Sequence, residues 1–366
     1  MTRSLELPDP LELESGATLH RVTAAYHTYG TLSAARDNVI WICHALTANS
    51  DAADWWPGLV GEGCTIDPGQ YYIVCVNMLG SSYGSTSPKS PDPATGQPYG
   101  LDFPLVTTKD NARFFSRVAD ALGLGRIRLL MGGSMGGQHA LEWACHDPER
   151  FDLLCVLATN AAHSAWGIAF NETQRMALRA DATLGTDAPE AGRAGLEAAR
   201  AIAMLSYRHY RTYVATQTEP ADSTYDDFRA SSYQRYQGYK LWRRFDPLCF
   251  YALTRGMDSH NVGRGRGGVA PALAKIQSPA LVISIDTDIL FPLNEQSLLT
   301  QHIPNSRLEV IHSDYGHDGF LTEARQIGLL LADFLADQLR VDATTKKAFT
   351  DGLTGRQFAI PGTEEV

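Results

Sequence analysis

The 366-residue chain is 44% hydrophobic and carries 31 basic against 41 acidic residues, a formal net charge of −10. Such a composition supplies one large core and excludes disorder over most of the length. The acidic balance argues against nucleic acid or an anionic membrane as the main partner, so any anionic ligand needs a local basic pocket.

The start MTRSLELPDPLELESG lacks the basic flank and apolar stretch of a signal peptide. The longest apolar runs, LLCVLA and IGLLLADFLA, fall short of the roughly 20 residues that cross a bilayer. Six cysteines (Cys43, Cys64, Cys75, Cys145, Cys155, Cys249) form no C-x-x-C pair and have no companion histidines at zinc-ligand spacing. That usage fits a reducing compartment, and the expectation is a cytoplasmic protein without a metal.

In chain order, Val- and Ile-rich runs bounded by turn residues predict buried strands at NVIWICHA from Asn38, YYIVCVN from Tyr71, IRLLMGGS from Ile127 and FDLLCVLATN from Phe151. Residues 107–122 carry apolar positions at helical spacing (Ala112, Phe115, Val118, Ala119, Leu122) and end at Gly123. The alternation is that of a mostly parallel sheet flanked by helices. From about 166 to 275 the segments are helical, rich in alanine and arginine, and poor in strand candidates. Strand signals return at SPALVISIDTD from Ser278 and SRLEVIHSDYGHD from Ser306, followed by an amphipathic helix through ARQIGLLLADFLADQL. The expected organisation is a core of 1–165 and 276–342, an inserted helical cap of 166–275, and a polar tail of 343–366.

The strand RIRLLM runs into GGSMGG at 132–137 and then into the helix-like QHALEWACHDPE. Gly132, Ser134 and Gly136 satisfy G-x-S-x-G in the strand–turn–helix setting that gives this motif its meaning, a nucleophile elbow of the α/β-hydrolase fold. Ser134 is therefore the candidate nucleophile. A serine hydroxyl needs a histidine to take its proton and a carboxylate to orient that histidine, and in this fold the acid precedes the base in the chain. His317 in DYGHDGF follows the last predicted strand, where catalytic groups sit, and is preferred to His312 and His302. SIDTDILFP offers Asp286 and Asp288 as the acid; Asp288 falls on the loop and leads, though spacing alone leaves Asp286 in play. Backbone N–H groups of Met135, after the nucleophile, and of Leu46, in HALTAN, are the candidate oxyanion donors.

The segments HALTANSDAADWW, YYIVCVNMLGSSYGSTSPKSPDPATGQPYGLDFP, GGSMGGQHALEWA, AFNETQRMALRAD, SYQRYQGYKLWRRFDPLCFYALTRGMDSHN, TDILFP and YGHDGFL, in this order, resemble the homoserine O-acetyltransferase family. The resemblance implies Ser134, Asp288 and His317 as the triad. It also implies that Arg175, in the N-E-x-Q-R segment, and Asp318, directly after the histidine, hold the amino-acid substrate: a guanidinium grips a carboxylate and a carboxylate neutralises an ammonium. Outside the resemblance, Arg175 reads as a helix-surface salt bridge and Asp318 as a helix N-cap.

The implied activity is acetyl transfer from acetyl-CoA to homoserine by a ping-pong cycle, with acetyl-CoA as co-substrate, no bound cofactor, and a homodimer formed through the cap. Basic cap residues Arg208, Arg211, Lys240, Arg243 and Arg244 are candidate contacts for the coenzyme's phosphates. The chain departs from the family at Ser87, where GSTSP replaces the usual GSTGP, and at Gln138 and His139. Succinyl-CoA or serine as alternative substrates differ on a scale worth only about 1–3 kcal/mol in a pocket. A hydrolase with the same triad is the other reading, against which the Arg175–Asp318 clamp argues.

Overall fold

The computed structural model describes residues 1–338. Its central sheet contains β1 (Arg3–Glu6), β2 (Thr23–Tyr29), β3 (Val39–Cys43), β4 (Tyr72–Val76), β5 (Ile127–Gly133), β6 (Phe151–Leu157), β7 (Ala280–Ile285) and β8 (Ser306–Ile311). Their order across the sheet is β1-β2-β4-β3-β5-β6-β7-β8. From β4 to β8 every pairing is parallel, whereas β2 pairs antiparallel with both β1 and β4. The mostly parallel sheet is thus as expected, and the antiparallel β1 and β2 are additions that the sequence reading did not contain.

Parallel strands β3 to β7 are buried on both faces, which is why they read as continuous apolar runs, whereas β8 at the sheet edge is half exposed. Side-chain alternation along β3 divides the core in two. Val39, Trp41 and Cys43 point into one cluster with Phe115 and Trp143, while Ile40 and Ile42 point into the other with Trp56, Ile327 and Leu331. Helices α1 (Thr108–Ala121) and α2 (Met135–His146) cover the first face. Here the Trp41 and Trp143 rings meet edge to face at 4.9 Å, a favoured aromatic geometry. The helix at 324–338 supplies the cover of the second face.

Helix α1 begins where its sequence says it should. Thr107 accepts from the Asp110 N–H, and the Asp110 carboxylate accepts from the Thr107 N–H, a reciprocal capping box.

Between β6 and β7 no strand is formed; the segment carries α3 (Ala165–Ala180), α4 (Arg193–Tyr207), α5 (Tyr210–Gln217), α6 (Arg229–Trp242) and α7 (Pro247–Asp258). Helix α8 (Leu293–His302) joins β7 to β8. The expected tail, 343–366, lies outside the described residues.

The chain passes from β3 outward to β4 and then returns to the other side of β3 as β5. That reversal opens a crevice at the carboxyl ends of β3 and β5, where ligands bind in open α/β sheets.

Candidate active site

Ser134 occupies the turn between β5 and α2 with φ 57° and ψ −128°, a region that non-glycine residues rarely enter and that must be held from outside. Its N–H donates to the Leu157 carbonyl at 2.9 Å, and its carbonyl accepts from the Gln138 N–H at 3.1 Å and the Thr159 hydroxyl at 2.8 Å. Glycines allow the approach. A Cβ on Gly132 would lie 2.4 Å from the Gly136 carbonyl oxygen, and one on Gly136 would lie 2.1 Å from that of Cys43.

His317 Nε2 stands 2.8 Å from Ser134 Oγ, and His317 Nδ1 stands 2.7 Å from Asp288 Oδ2. The other Asp288 oxygen accepts from the N–H groups of Leu290 and Phe291 at 2.8 and 2.9 Å, so the carboxylate is fixed by backbone. An ionised carboxylate only accepts, which places the ring proton on Nδ1 and leaves Nε2 to receive the serine proton. Phe291 stacks on the imidazole at 5.1 Å and Phe320 tilts against it at 5.2 Å.

The competing carboxylate is elsewhere: Asp286 receives His312 Nδ1 at 2.5 Å and the Ser313 N–H at 3.1 Å, and His312 is exposed. His302 ends α8. The structure therefore brings together Ser134, Asp288 and His317, and leaves Asp286, His312 and His302 out of that chain of hydrogen bonds.

Ser134 and His317 form the floor of a cavity of about 490 Å³, lined also by Leu46 and Thr47 after β3, with Asp288 behind the imidazole. Met135 heads α2, where the first N–H groups lack intrahelical partners and carry the positive end of the helix dipole. Helices α4 and α6 and the residues that follow each roof the cavity, with Arg200, Tyr207, Arg208, Lys240 and Arg244. Four cations thus face two carboxylates, Asp54 and Asp318, in a chain that is acidic overall. Arg208 Nε lies 2.7 Å from Asp318 Oδ2. Burial pushes the Asp318 carboxyl above its usual range, against the pull of Arg208, Arg200 and His317. Arg200 lies over the Tyr207 ring at 5.2 Å, and burial lowers its pKa. Arg244 donates to the Thr47 carbonyl at 2.5 Å and to the Tyr83 hydroxyl at 2.8 Å, joining the roof to the loop after β3.

Arg175 does not line this cavity. Its guanidinium is bound to Asp258 at 2.5 Å and to Glu172, three residues back on α3, at 2.7 Å. It ties α3 to the end of α7, close to the salt-bridge reading that the residue carried outside the resemblance. The cations that face Asp318 are Arg208 and Arg200, neither of which the sequence reading assigned to the amino acid. A signal for Arg200 was present: Leu196, Ala199, Ala203 and Met204 are the buried stripe of α4, and Arg200 interrupts it. Of the other basic residues, Lys240 and Arg244 line the cavity, Arg243 lines a neighbouring surface pocket, and Arg211 pairs with Asp314 at 3.1 Å.

Comparison with known proteins places this geometry. A family model of the alpha/beta hydrolase fold matches residues 38–324. A homoserine O-acetyltransferase of Cyclobacterium marinum is 47% identical over 326 residues, covering 89% of this chain and 93% of its own. The chain belongs to the homoserine O-acetyltransferase family. A second homoserine O-acetyltransferase, from Chlorobium luteolum, is 43% identical over 341 residues, or 91% of this chain and 94% of its own. The crystal structure of homoserine O-acetyltransferase from Bacillus anthracis matches with a TM-score of 0.85 at 25% identity, covering 92% of this chain and 97% of that one.

As a member of the homoserine O-acetyltransferase family the protein is an acyltransferase on an α/β-hydrolase fold. Among the described residues, no helix is long and apolar enough to cross a membrane, and no group of three or more His, Cys, Asp or Glu could hold a metal ion.

Proposed function

We propose that the protein transfers the acetyl group of acetyl-CoA to the hydroxyl of L-homoserine through an acetyl-Ser134 intermediate, as a step of methionine biosynthesis in the cytoplasm. The observation that carries this reading is the unbroken hydrogen-bonded series Ser134, His317, Asp288, whose first two members line the floor of a cavity with Asp318 beside Arg208 in its wall. His317 Nε2 takes the Ser134 proton as Oγ attacks the thioester carbonyl, and the N–H groups of Met135 and Leu46 receive the oxyanion. The imidazolium, steadied by Asp288, returns the proton as the thiol leaves. Homoserine then gives its hydroxyl proton to the same nitrogen and attacks the acyl carbonyl, and the imidazolium returns that proton to Ser134 Oγ as the acyl–serine bond breaks and O-acetylhomoserine leaves.

Asp318 takes the ammonium of the acceptor, and Arg200 and Arg208 take its carboxylate, a zwitterion matched by opposite charges on one wall. Helices 166–275 act as a cap that orients the acceptor and keeps water from competing, an entropic advantage that positioning can make large. Lys240 and Arg244 at the cavity, and Arg243 beside it, receive the phosphates of the coenzyme. No tightly bound cofactor takes part, and the working unit is a homodimer formed through the cap.

The test supplies acetyl-CoA or succinyl-CoA as donor with homoserine, serine or water as acceptor, and follows thiol release. Release fastest with acetyl-CoA and homoserine is expected. Release no faster with either amino acid than with water would instead make the protein a hydrolase.

A further inference from the structure

We propose that His44 is a positioning residue for the reaction: it fixes the peptide unit that joins Ala45 to Leu46 and so aims the Leu46 N–H into the cavity. This inference rests on the reading that Leu46 supplies an oxyanion donor.

His44 follows β3 and is 1% exposed. Its Nε2 lies 3.2 Å from the backbone nitrogen of Met78, beyond the end of β4, and its Nδ1 lies 2.9 Å from the Ala45 carbonyl oxygen. A backbone N–H can only donate, so Nε2 accepts; a carbonyl can only accept, so Nδ1 carries the proton. A single neutral tautomer meets both demands, and burial keeps the ring neutral by pushing its pKa down to about 4. The bridge ties the loop after β3 to the loop after β4.

The consequence follows from peptide geometry. The Ala45 carbonyl and the Leu46 N–H belong to one planar unit and point in opposite directions across it. Holding the oxygen towards His44 holds the N–H away from it, and Leu46 lines the cavity that contains Ser134. The Ala48 N–H also donates to the Ala45 oxygen, at 3.1 Å. Two donors therefore hold that carbonyl, and losing one loosens the plane without abolishing the turn. Gly136 presses the start of α2 against the carbonyls of Cys43 and His44, so the carriers of the Leu46 and Met135 donors are in contact.

The experiment compares His44→Leu with His44→Asn in the full chain, measuring turnover and the affinity for trifluoroacetone, whose carbonyl adds to a serine hydroxyl to give a tetrahedral oxyanion. His44→Leu is expected to lose about 10- to 100-fold in kcat, somewhat less than removal of an oxyanion donor outright. Its affinity for the ketone falls by a similar factor, while KM for the amino-acid acceptor stays within about twofold. His44→Asn, whose amide can still donate to the Ala45 oxygen, recovers most of both. A purely structural role would lower the melting temperature and leave the ratio of ketone affinity to acceptor KM unmoved, and that result overturns the inference. Should His44→Leu not fold, His44→Asn against His44→Ala makes the same comparison, since the alanine side chain cannot donate; equal ketone affinities would overturn it. Failure of the unaltered protein to form the ketone adduct overturns the acyl-serine reading, and this inference with it.

Discussion

Ser134 and Arg208 face the same cavity, yet they are held there in opposite ways. Around Ser134 the backbone itself is pinned, by Leu157, Gln138 and Thr159, and the strained turn tolerates no side chain on Gly132 or Gly136. Arg208 reaches the cavity on a long flexible stem, held by one ion pair to Asp318 and by the Tyr315 ring at 5.6 Å. The floor is built for one chemistry with little freedom, and the roof is built from charges that can be redistributed. On the proposed reading chemistry belongs to the first and acceptor choice to the second, a division that substitution can test.

The largest effect is expected at the floor. Ser134→Ala should lower kcat by about 10⁴- to 10⁶-fold, the range for loss of a nucleophile in a triad, with a burst of thiol release absent in stopped-flow measurement. Turnover near that of the unaltered protein would break the comparison.

A middle effect is expected at the wall. Asp318→Asn should lower kcat/KM for homoserine by about 10²-fold, the loss typical of one partner of a buried charge pair, while slow thiol release to water changes less. Because burial raises the Asp318 pKa above the usual carboxylate range, its charge is present above that raised value and is lost as pH falls through it. KM for homoserine should therefore climb on acidification before ordinary carboxylates titrate, and the Asn variant should lack that climb.

The smallest effect on activity is expected behind the cavity. Arg175→Ala should leave kcat/KM for homoserine within about twofold but cost about 1–3 kcal/mol of stability, read by denaturant unfolding, because Asp258 loses its partner in a site that is mostly closed to solvent. A large rise in KM instead would return Arg175 to the acceptor site.

The same contrast explains what could be read in the sequence. Strands β3 to β7 were legible because burial on both faces leaves unbroken apolar runs, and the edge strand β8 because Leu308 and Val310 alternate with Arg307 and Glu309. RSLE and TAAYHTY, which became β1 and β2, were not: RSLE is largely exposed, and TAAYHTY, although buried from Ala24 to His27, mixes small, polar and aromatic residues and carries no such run. The elbow was legible because its sterics demand glycines at fixed positions. Asp288 could be separated from Asp286 only once β8 was paired with β7, because both follow the same strand within three residues and their partner histidines, His312 and His317, both lie on the segment after β8. Arg175 and Arg208 could not be ranked, since where a long cation ends depends on how α3, α4 and α7 pack. Sequence shows that a helix carries an arginine, not which neighbouring carboxylate will capture it.

The site draws one loop each from the ends of β3, β5, β7 and β8, so its geometry is a property of the sheet's register across most of its width. Loss of register at β5, β7 or β8 would carry one of Ser134, Asp288 and His317 away from its hydrogen-bond partner.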